Sequence, residues 1–265
     1  MRVNRSTYYK HFFSVPAPRT QHNQHICRSI LQIYSDHDKR PGAEKIKVLL
    51  QRDYGIIVST GRVYRLMKTM ELPAIAAKKP KFKRFGSNND DCTNHLDKKF
   101  NQSAPNVVWV SDITYIRAGT RFYYLCVIID LFSRKVIAYK LSAKIDTQLV
   151  KDTFLLAYTK RNPKGLMFHS DRGCQYTALE FRKLLDNCNV VQSFSSKGHP
   201  YDNAVAESFF KFLKHEQTNR RNYQSLKELE TSVFEYIEGY YNSKRPHATL
   251  AYLTPNQAEK NYSPT

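Results

Sequence analysis

The sequence predicts a chain of two domains, an all-α domain at the N terminus and an α/β domain built on a mixed sheet. The length of 265 residues suits two domains better than one. Residues 1–86 hold 18 Lys and Arg against 5 Asp and Glu, so most of the net charge of +19 lies there. Near residue 106 the sequence pattern changes to strand-like runs, and a pattern of alternating strands and helices follows.

The excess of basic residues indicates a polyanionic partner, either nucleic acid or an anionic membrane surface. A generally basic surface that serves solubility is the alternative. Nucleic acid is favoured because no lipid anchor and no amphipathic membrane stretch accompanies the charge. We expect no transmembrane segment, since no run approaches about 20 apolar residues, and no secretory signal, since the start lacks an apolar core. Five cysteines without a C-x-x-C pair predict free thiols in a reducing cytoplasm.

The N-terminal domain, predicted over residues 1–77, contains two helices joined by a turn. Residues 43–52 form the first helix, which Gly55 ends, and Ser59 is the expected N-cap of the second, over residues 60–70. The second helix has one apolar face, formed by Val63, Leu66, Met67 and Met70, and one basic face, formed by Arg62, Arg65 and Lys68. This pattern fits a helix-turn-helix that contacts DNA and an ordinary helical hairpin equally well.

Residues 78–104 are basic and polar, and we interpret them as a linker whose lysines could also follow a phosphate backbone. The second domain, 105–265, opens with a predicted three-strand antiparallel meander at 107–116, 123–129 and 135–141. The pattern then alternates, with a helix at 147–159, a strand at 165–169, a helix at 178–187, a strand at 190–194 and a long helix from 203. Such an order predicts a mixed sheet with helices packed on it.

Three carboxylates stand where the predicted elements give them no obvious structural use. Asp112 interrupts an aromatic and aliphatic strand, where a charge is costly unless it is paired, solvated or bound to a cation. Asp171 ends the fourth strand, although a capped turn would also explain an aspartate there. Glu207 lies on the long helix on the same face as Lys211 and Lys214, and 35 residues separate it from Asp171.

Three converging carboxylates would repel one another without cations. Hard divalent ions such as Mg²⁺ take oxygen ligands and keep room for substrate phosphate. Two such ions would balance three carboxylates and one phosphodiester, and could promote an in-line displacement at phosphorus without a histidine base. Each acid taken alone has a structural explanation, and only the three together favour a metal site.

Several stretches resemble the integrase core of bacterial DDE transposases, and most closely the second-frame protein of the insertion sequence three family. They are Trp109–Tyr115, with its Asp112; His169–Tyr176, with its Asp171; and Pro200–Lys214, with Asn203 and Glu207. The Asp-x35-Glu interval is that family's own, and Tyr240–Leu250 with Thr254-Pro255 matches its C-terminal signature. Residues 28–72 resemble the helix-turn-helix that precedes the core in this family.

The resemblance implies an RNase H-like core in which Asp112, Asp171 and Glu207 bind two Mg²⁺ or Mn²⁺ ions. It implies DNA cleavage at the inverted-repeat ends of a mobile element, which frees a 3′-OH that attacks target DNA. Lys214 fits the family's basic position at DNA ends, and Lys211 shares its face. His169 and Asn203 are expected near the site, either orienting ligands or DNA or forming hydrogen bonds in turns.

The resemblance also implies partners. In this family an upstream-frame protein supplies a further helix-turn-helix and a dimerising zipper, joined by frameshifting, and the chain start looks like the tail of such a protein. Joining two DNA ends implies at least a homodimer. A retroviral-type integrase would need an N-terminal zinc module, which His22, His25 and Cys27 do not make. An inert DNA-binding remnant, or a nuclease that cuts without joining, remains an alternative.

Overall fold

The computed structural model describes residues 18–73, 92–196 and 200–263, together with Arg5, Tyr8 and Tyr9. The chain divides into two compact units, Met1–Lys78 and Lys79–Thr265. All five cysteines are free thiols, as predicted. No helix in the described part of the chain is long and apolar enough to cross a membrane.

The first unit packs three helices around one apolar core. They are α1 (Pro18–Asp36), α2 (Ala43–Tyr54) and α3 (Thr60–Thr69). Gly55 ends α2 in the left-handed conformation at a φ of 65°, and the Ser59 side chain caps α3 by accepting from the Arg62 N–H, so both predicted helix boundaries are confirmed. The sequence interpretation missed α1, which buries Ile26, Ile30 and Ile33 against α2 and α3.

The second unit is built on one five-stranded sheet in the order β3-β2-β1-β4-β5. The first three strands form the predicted antiparallel meander, and β4 and β5 continue parallel to β1. This topology is that of the RNase H-like fold, so the predicted fold class is confirmed. The strands are β1 (Val108–Ala118), β2 (Arg121–Asp130), β3 (Val136–Ser142), β4 (Met167–Ser170) and β5 (Val191–Phe194).

Successive side chains of the central strands point to opposite faces of the sheet and pack in two cores, one on each face. Trp109 packs with α4 and α6 on one face, whereas Val110 packs with α7 and α8 on the other. The helices are α4 (Thr147–Arg161), the single turn α5 (Cys174–Thr177), α6 (Leu179–Asn187), α7 (Ala204–Glu216), α8 (Leu226–Phe234) and α9 (Pro255–Lys260). A π-helical stretch, Glu235–Tyr241, continues α8.

The apolar stripe of α7 differs from the predicted one. Phe209 and Leu213 are buried as expected, but Phe210 is buried in place of Phe212. The Phe212 ring is half-buried and lies 3.8 Å from the Arg245 guanidinium carbon, a cation–π contact that the helical periodicity could not reveal. Val205, also predicted in the stripe, is partly buried and packs against the same core.

The predicted linker divides into two parts. Residues 78–91 lie outside the described residues. Residues 92–104 pack on the second unit instead of extending as a linker would, because Cys92 and Leu96 are buried in its two cores. The Ser193 hydroxyl accepts from the backbone N–H of Leu96, and Asn94 donates to Asp202, so polar contacts fix this segment as well.

Candidate active site

Asp112 and Asp171 lie near each other on two neighbouring inner strands of the sheet, at the point where β4 ends. β1 and β4 run parallel in a register that pairs Val110 with His169. Continued by two residues, this register sets Asp112 level with Asp171, which directly follows the last residue of β4. Neighbouring parallel strands are about 4.8 Å apart, and side chains at one register level point to the same face. The local strand geometry therefore brings the two carboxylates together.

Glu207 reaches the same region from the first turn of α7. This helix packs on the face of the sheet to which Val110 contributes, and its start is fixed by Asn203, whose Nδ2 donates to the Ser111 carbonyl at 3.1 Å. That carbonyl belongs to the residue just before Asp112. One hydrogen bond therefore ties the helix that carries Glu207 to the strand that carries Asp112.

The electrostatics show that Asp171 and Glu207 both act on Asp112. Desolvation, followed by the charges of Asp171 and Glu207, raises the pKa of Asp112 to about 8, while the Ile113 N–H and Lys214 oppose the shift. Desolvation also raises the pKa of Glu207. Asp171 is an exposed residue, yet nearby protein atoms withdraw enough water from its carboxyl to raise that pKa too. Negative charge is therefore disfavoured here unless a cation accompanies it.

The turn after β4 explains the aspartate at the strand end. The Gly173 N–H donates to Asp171 Oδ1 at 3.0 Å, so the capped turn exists. A Cβ atom at position 173 would come within 3.0 Å of that same oxygen. Glycine at this position therefore lets the turn hold the carboxylate, and the structural and functional explanations of Asp171 are compatible.

Lys214 is the basic residue whose charge acts on Asp112, whereas Lys211 is exposed on the same helix. Lys214 is half-buried, and its charge stabilises ionised Asp112. Its Nζ lies 4.9 Å from the centre of the Tyr115 ring. Desolvation lowers the pKa of Lys214, and Asp112 partly reverses that shift. A cation at the border between acids and solvent is well placed to meet a phosphate.

His169 and Asn203, both expected near the site, turn out to be buried. The His169 ring is fully enclosed between the hydroxyls of Ser193 and Ser195, at 2.9 and 3.2 Å, and burial lowers its pKa to about 4. Both side chains are buried, so the structure favours the alternative role given to them, hydrogen bonding within the fold, over a direct contact with DNA. They hold the β4–β5 edge and the start of α7 by hydrogen bonds, which is the alternative role.

The three predicted DNA contacts on α3 differ among themselves. Arg65 and Lys68 are exposed, as a DNA contact requires. Arg62 is half-buried, and its Nη2 donates to the Asn23 side chain on α1 at 2.8 Å, so this arginine also braces the first unit.

Sequence reasoning missed the polar cluster at the end of α7. The buried Glu216 carboxylate forms an ion pair with the buried Arg245 guanidinium, whose Nε lies 2.9 Å from Oε2, and the Tyr236 hydroxyl donates to Glu216 at 2.8 Å. Asn242 uses its side-chain amide to bond both the N–H and the carbonyl of Val136. Asn242 and Arg245 fall in the C-terminal signature, but their partners Val136 and Glu216 are distant in sequence.

Within residues 18–73, 92–196 and 200–263, no three His, Cys, Asp or Glu side chains meet closely enough to hold a metal ion as they stand. The three acids share a region and an electrostatic field, and holding a metal ion would require them to draw closer.

Comparison with known protein families defines the class of this protein. The integrase core domain matches residues 102–200, a second integrase core domain profile matches residues 189–255, and an HTH-like domain matches residues 21–80. The fold and the matched domains are those of a polynucleotidyl transferase with an integrase core.

Relatives identify the family. The chain is 37% identical over 248 residues to the transposase for insertion sequence element IS904 of Lactococcus lactis, covering 92% of this chain and 97% of that protein. It is 34% identical over 245 residues to transposase InsF of insertion sequence IS3A of Escherichia coli, covering 91% and 84%. The chain belongs to the insertion-sequence transposase family, and the resemblance seen in the sequence is confirmed.

Among solved structures, the HTLV-2 integrase catalytic core domain in complex with magnesium is similar at a TM-score of 0.46 and 18% identity, covering 59% of this chain and 98% of that one.

Proposed function

We propose that this transposase cleaves the inverted-repeat ends of a mobile element and transfers the freed 3′-OH to target DNA, with Asp112, Asp171 and Glu207 as its catalytic acids. The observation that carries the proposal is the continued register of β1 and β4, which sets two acids level while α7 brings the third. A purely structural role does not account for the buried Asp112, whose ionisation is opposed by desolvation and by the charges of Asp171 and Glu207.

The donor set fits a hard divalent cation. Three carboxylates offer oxygen ligands, and the Ile113 and Gly173 N–H groups engage one oxygen of Asp112 and one of Asp171, which leaves the second oxygen of each carboxylate available. Bound Mg²⁺ or Mn²⁺, two ions in the proposal, would supply charge neutralisation and an activated oxygen nucleophile. The three acids provide the ligand oxygens. The hydrogen bond from the Asn203 side chain to the Ser111 carbonyl holds α7, and with it Glu207, in place.

The remaining parts of the proposal concern DNA and partners. Lys214 binds a phosphate beside the acids, Lys211 binds one further along α7, and Arg65 and Lys68 contact duplex DNA from α3. Two DNA ends joined in one complex require at least two copies of the chain. An upstream-frame protein, separate or fused, is the proposed partner, and the cytoplasm, on DNA when bound, is the proposed location.

The test uses labelled DNA that carries the inverted repeats flanking the gene. Wild-type chain and Asp171→Asn are incubated with this DNA and Mg²⁺ or Mn²⁺, and Asp186→Asn, which changes an exposed aspartate on α6, is the matched control. We expect nicked and joined products from the wild type and the control and none from Asp171→Asn. Nicking without joining would indicate a nuclease.

A second arm fuses the upstream-frame protein to the chain. Product that appears only in the fusion would make this chain the catalytic half of a split enzyme. Absence of product from both, with DNA binding intact, would overturn the proposal in favour of an inert DNA-binding remnant.

A further inference from the structure

A groove opens beside the three acids and is not explained by their chemistry. Its volume is about 810 Å³, and it lies between the far end of the β1–β2 hairpin and residues 218–224, which follow α7. Lys214 lines this groove and also acts on the charge of Asp112. Lys214 therefore links the groove to the acidic centre.

The charge of the groove favours an anionic occupant. Its lining includes the basic side chains of Arg117, Lys214 and Arg221 and no carboxylate. Arg221 faces Glu235 at 3.7 Å, but both side chains are exposed, so this contact contributes little and the arginine can turn to another anion. Three cations in a groove lined by no carboxylate match a phosphate backbone.

The groove also presents two aromatic rings to solvent. Tyr115 is 60% exposed and Phe122 is 52% exposed, and their rings meet edge to face at 5.5 Å. Neither ring belongs to the two buried cores of the second unit. Exposed aromatic rings interleaved with cations are the arrangement with which proteins stack unpaired bases while holding the strand by its phosphates.

The size of the groove suits individual nucleotides. A volume of about 810 Å³ falls in the range of sites for single small molecules. Bases in a duplex hide their faces by stacking on their neighbours, so ring contacts of this kind require a base that has left the stack.

We propose that this groove binds unpaired nucleotides of the DNA end, with a base stacked on Tyr115 and Phe122 and phosphates held by Arg117, Lys214 and Arg221. The inference rests on the proposed function, because the groove adjoins the acids, and it adds that the enzyme captures an opened DNA end.

The experiment compares two labelled DNAs by fluorescence anisotropy in EDTA, so that no cleavage occurs. One is a fully paired inverted-repeat duplex, and the other is the same duplex with three unpaired nucleotides at its 3′ end. We expect wild-type chain to bind the opened DNA about tenfold more tightly, a factor typical of one stacked base. Tyr115→Ala/Phe122→Ala should lose this preference and keep its affinity for the paired duplex.

The matched control is Phe234→Ala, which removes an equally exposed ring from α8, outside the groove, and should keep the preference. Circular dichroism verifies that all three proteins are folded. Binding of both DNAs with equal affinity by the wild type, or a preference that survives in the double variant, would overturn this inference alone. Failure of the wild type to bind either DNA would overturn the proposed function together with it.

Discussion

At the residue scale, the Asp112 carboxylate is placed where its surroundings oppose its charge. Burial and two neighbouring acids raise its pKa to about 8, and only the Ile113 N–H and Lys214 favour ionisation. Like charges held close together lower the stability of the free protein, and a bound ligand of opposite charge restores it. The predicted ligand is a divalent cation, so the energetic cost of Asp112 should be measurable in metal-free protein.

Asp112→Asn should therefore abolish cleavage and stabilise the metal-free protein. The asparagine keeps an oxygen to accept from the Ile113 N–H and removes the repulsion. We expect a melting temperature higher by about 2–4 °C, which corresponds to about 1 kcal/mol in a chain of this size. Differential scanning calorimetry in EDTA measures the difference. Addition of MgCl₂ should stabilise the wild type more than the variant, and a variant less stable than the wild type in EDTA would contradict the argument.

Gly173→Ala should lower activity by moving the Asp171 carboxylate. A Cβ atom at this position comes within 3.0 Å of Asp171 Oδ1 and 3.1 Å of Gln175 Oε1, so one of these side chains must shift. We expect cleavage to fall about three- to tenfold, because the shift needed is a fraction of the roughly 1 Å displacement that costs about 100-fold. Single-turnover cleavage measures it, and Gly239→Ala, whose new Cβ atom would meet no atom within 4 Å, is the control. Equal activity of both variants would show that Asp171 tolerates displacement.

The sequence could single out the three proposed catalytic acids but could not separate them from the residues that support them. Asp112, Asp171 and Glu207 were recognisable because charges in apolar strands and a fixed interval are local signals. His169 and Asn203 lie in the same motifs, and only the packed structure shows that both are buried hydrogen-bonding residues. Burial depends on residues distant in sequence, so a motif alone does not distinguish a residue that touches DNA from one that holds a strand.

At the element scale, α7 is fixed at both ends by polar contacts. Asn203 ties its start to β1, and the buried Glu216–Arg245 ion pair ties its end to the C-terminal segment. The guanidinium also covers Phe212 on the same helix. Glu207 lies between these two anchors, so its position relative to Asp112 depends on both of them.

Removing one partner of this ion pair should destabilise the second unit strongly. Glu216→Gln leaves the Arg245 charge buried without its partner, which costs about 3–5 kcal/mol. The double variant Glu216→Gln/Arg245→Met removes both charges and should recover most of that loss. Urea unfolding followed by circular dichroism gives the free energies. A double variant as unstable as the single one would show that the pair contributes through packing alone.

Glu259 gives a second electrostatic anchor whose effect depends on pH. It lies on α9 and bonds Lys135 before β3 and Arg161 at the end of α4, at 3.0 and 2.9 Å. Although desolvation opposes the change, these cations lower its pKa in the folded protein. Because the folded pKa is the lower one, the stabilisation is present above about pH 4.5 and is lost as the pH falls below it.

Glu259→Gln should therefore cost about 2 kcal/mol at pH 7, between the values for exposed and fully buried pairs, and much less near pH 3. Urea unfolding of wild type and variant at both pH values tests the sign. The same loss at pH 3 as at pH 7 would rule out a charge-dependent contribution.

Helices and strands could be predicted where their signals are local in the sequence and could not where they depend on distant residues. The meander and the alternating helices were readable because their periodicity and turn residues are local. The helix α1 was missed although Ile26, Ile30 and Ile33 recur at helical spacing, since many polar residues dilute the pattern. The C-terminal arrangement was unpredictable in detail, because Asn242 and Arg245 are ordered by partners such as Val136 and Glu216 elsewhere in the chain.

At the scale of the whole molecule, charge is divided between the two units. The first unit, residues 1–78, carries 14 of the 42 basic residues but only 5 of the 23 acidic ones, while the proposed catalytic acids lie in the second unit. The shorter first unit therefore has the higher density of positive charge, which suits a large contribution to the sequence-independent attraction to DNA. The second unit then needs only a few cations, such as Lys214, close to the reacting phosphate.

The salt dependence of DNA binding tests this division of labour. Each phosphate neutralised on duplex DNA contributes about 0.9 to the slope of log affinity against log salt. Arg65→Ala/Lys68→Ala, which removes two exposed cations of α3, should lower the slope by about 1.8. Fluorescence anisotropy between about 50 and 200 mM salt on a paired inverted-repeat duplex measures it.

Lys183→Ala/Lys227→Ala removes two exposed cations from the second unit, on α6 and α8, and should leave the slope unchanged. An equal fall in both double variants would mean that DNA responds to net charge wherever it lies. A fall confined to the α3 pair would mean that this helix lies against the phosphates. Because the slope counts neutralised phosphates and depends little on sequence, it separates these cases before the base pairs that the helix reads are known.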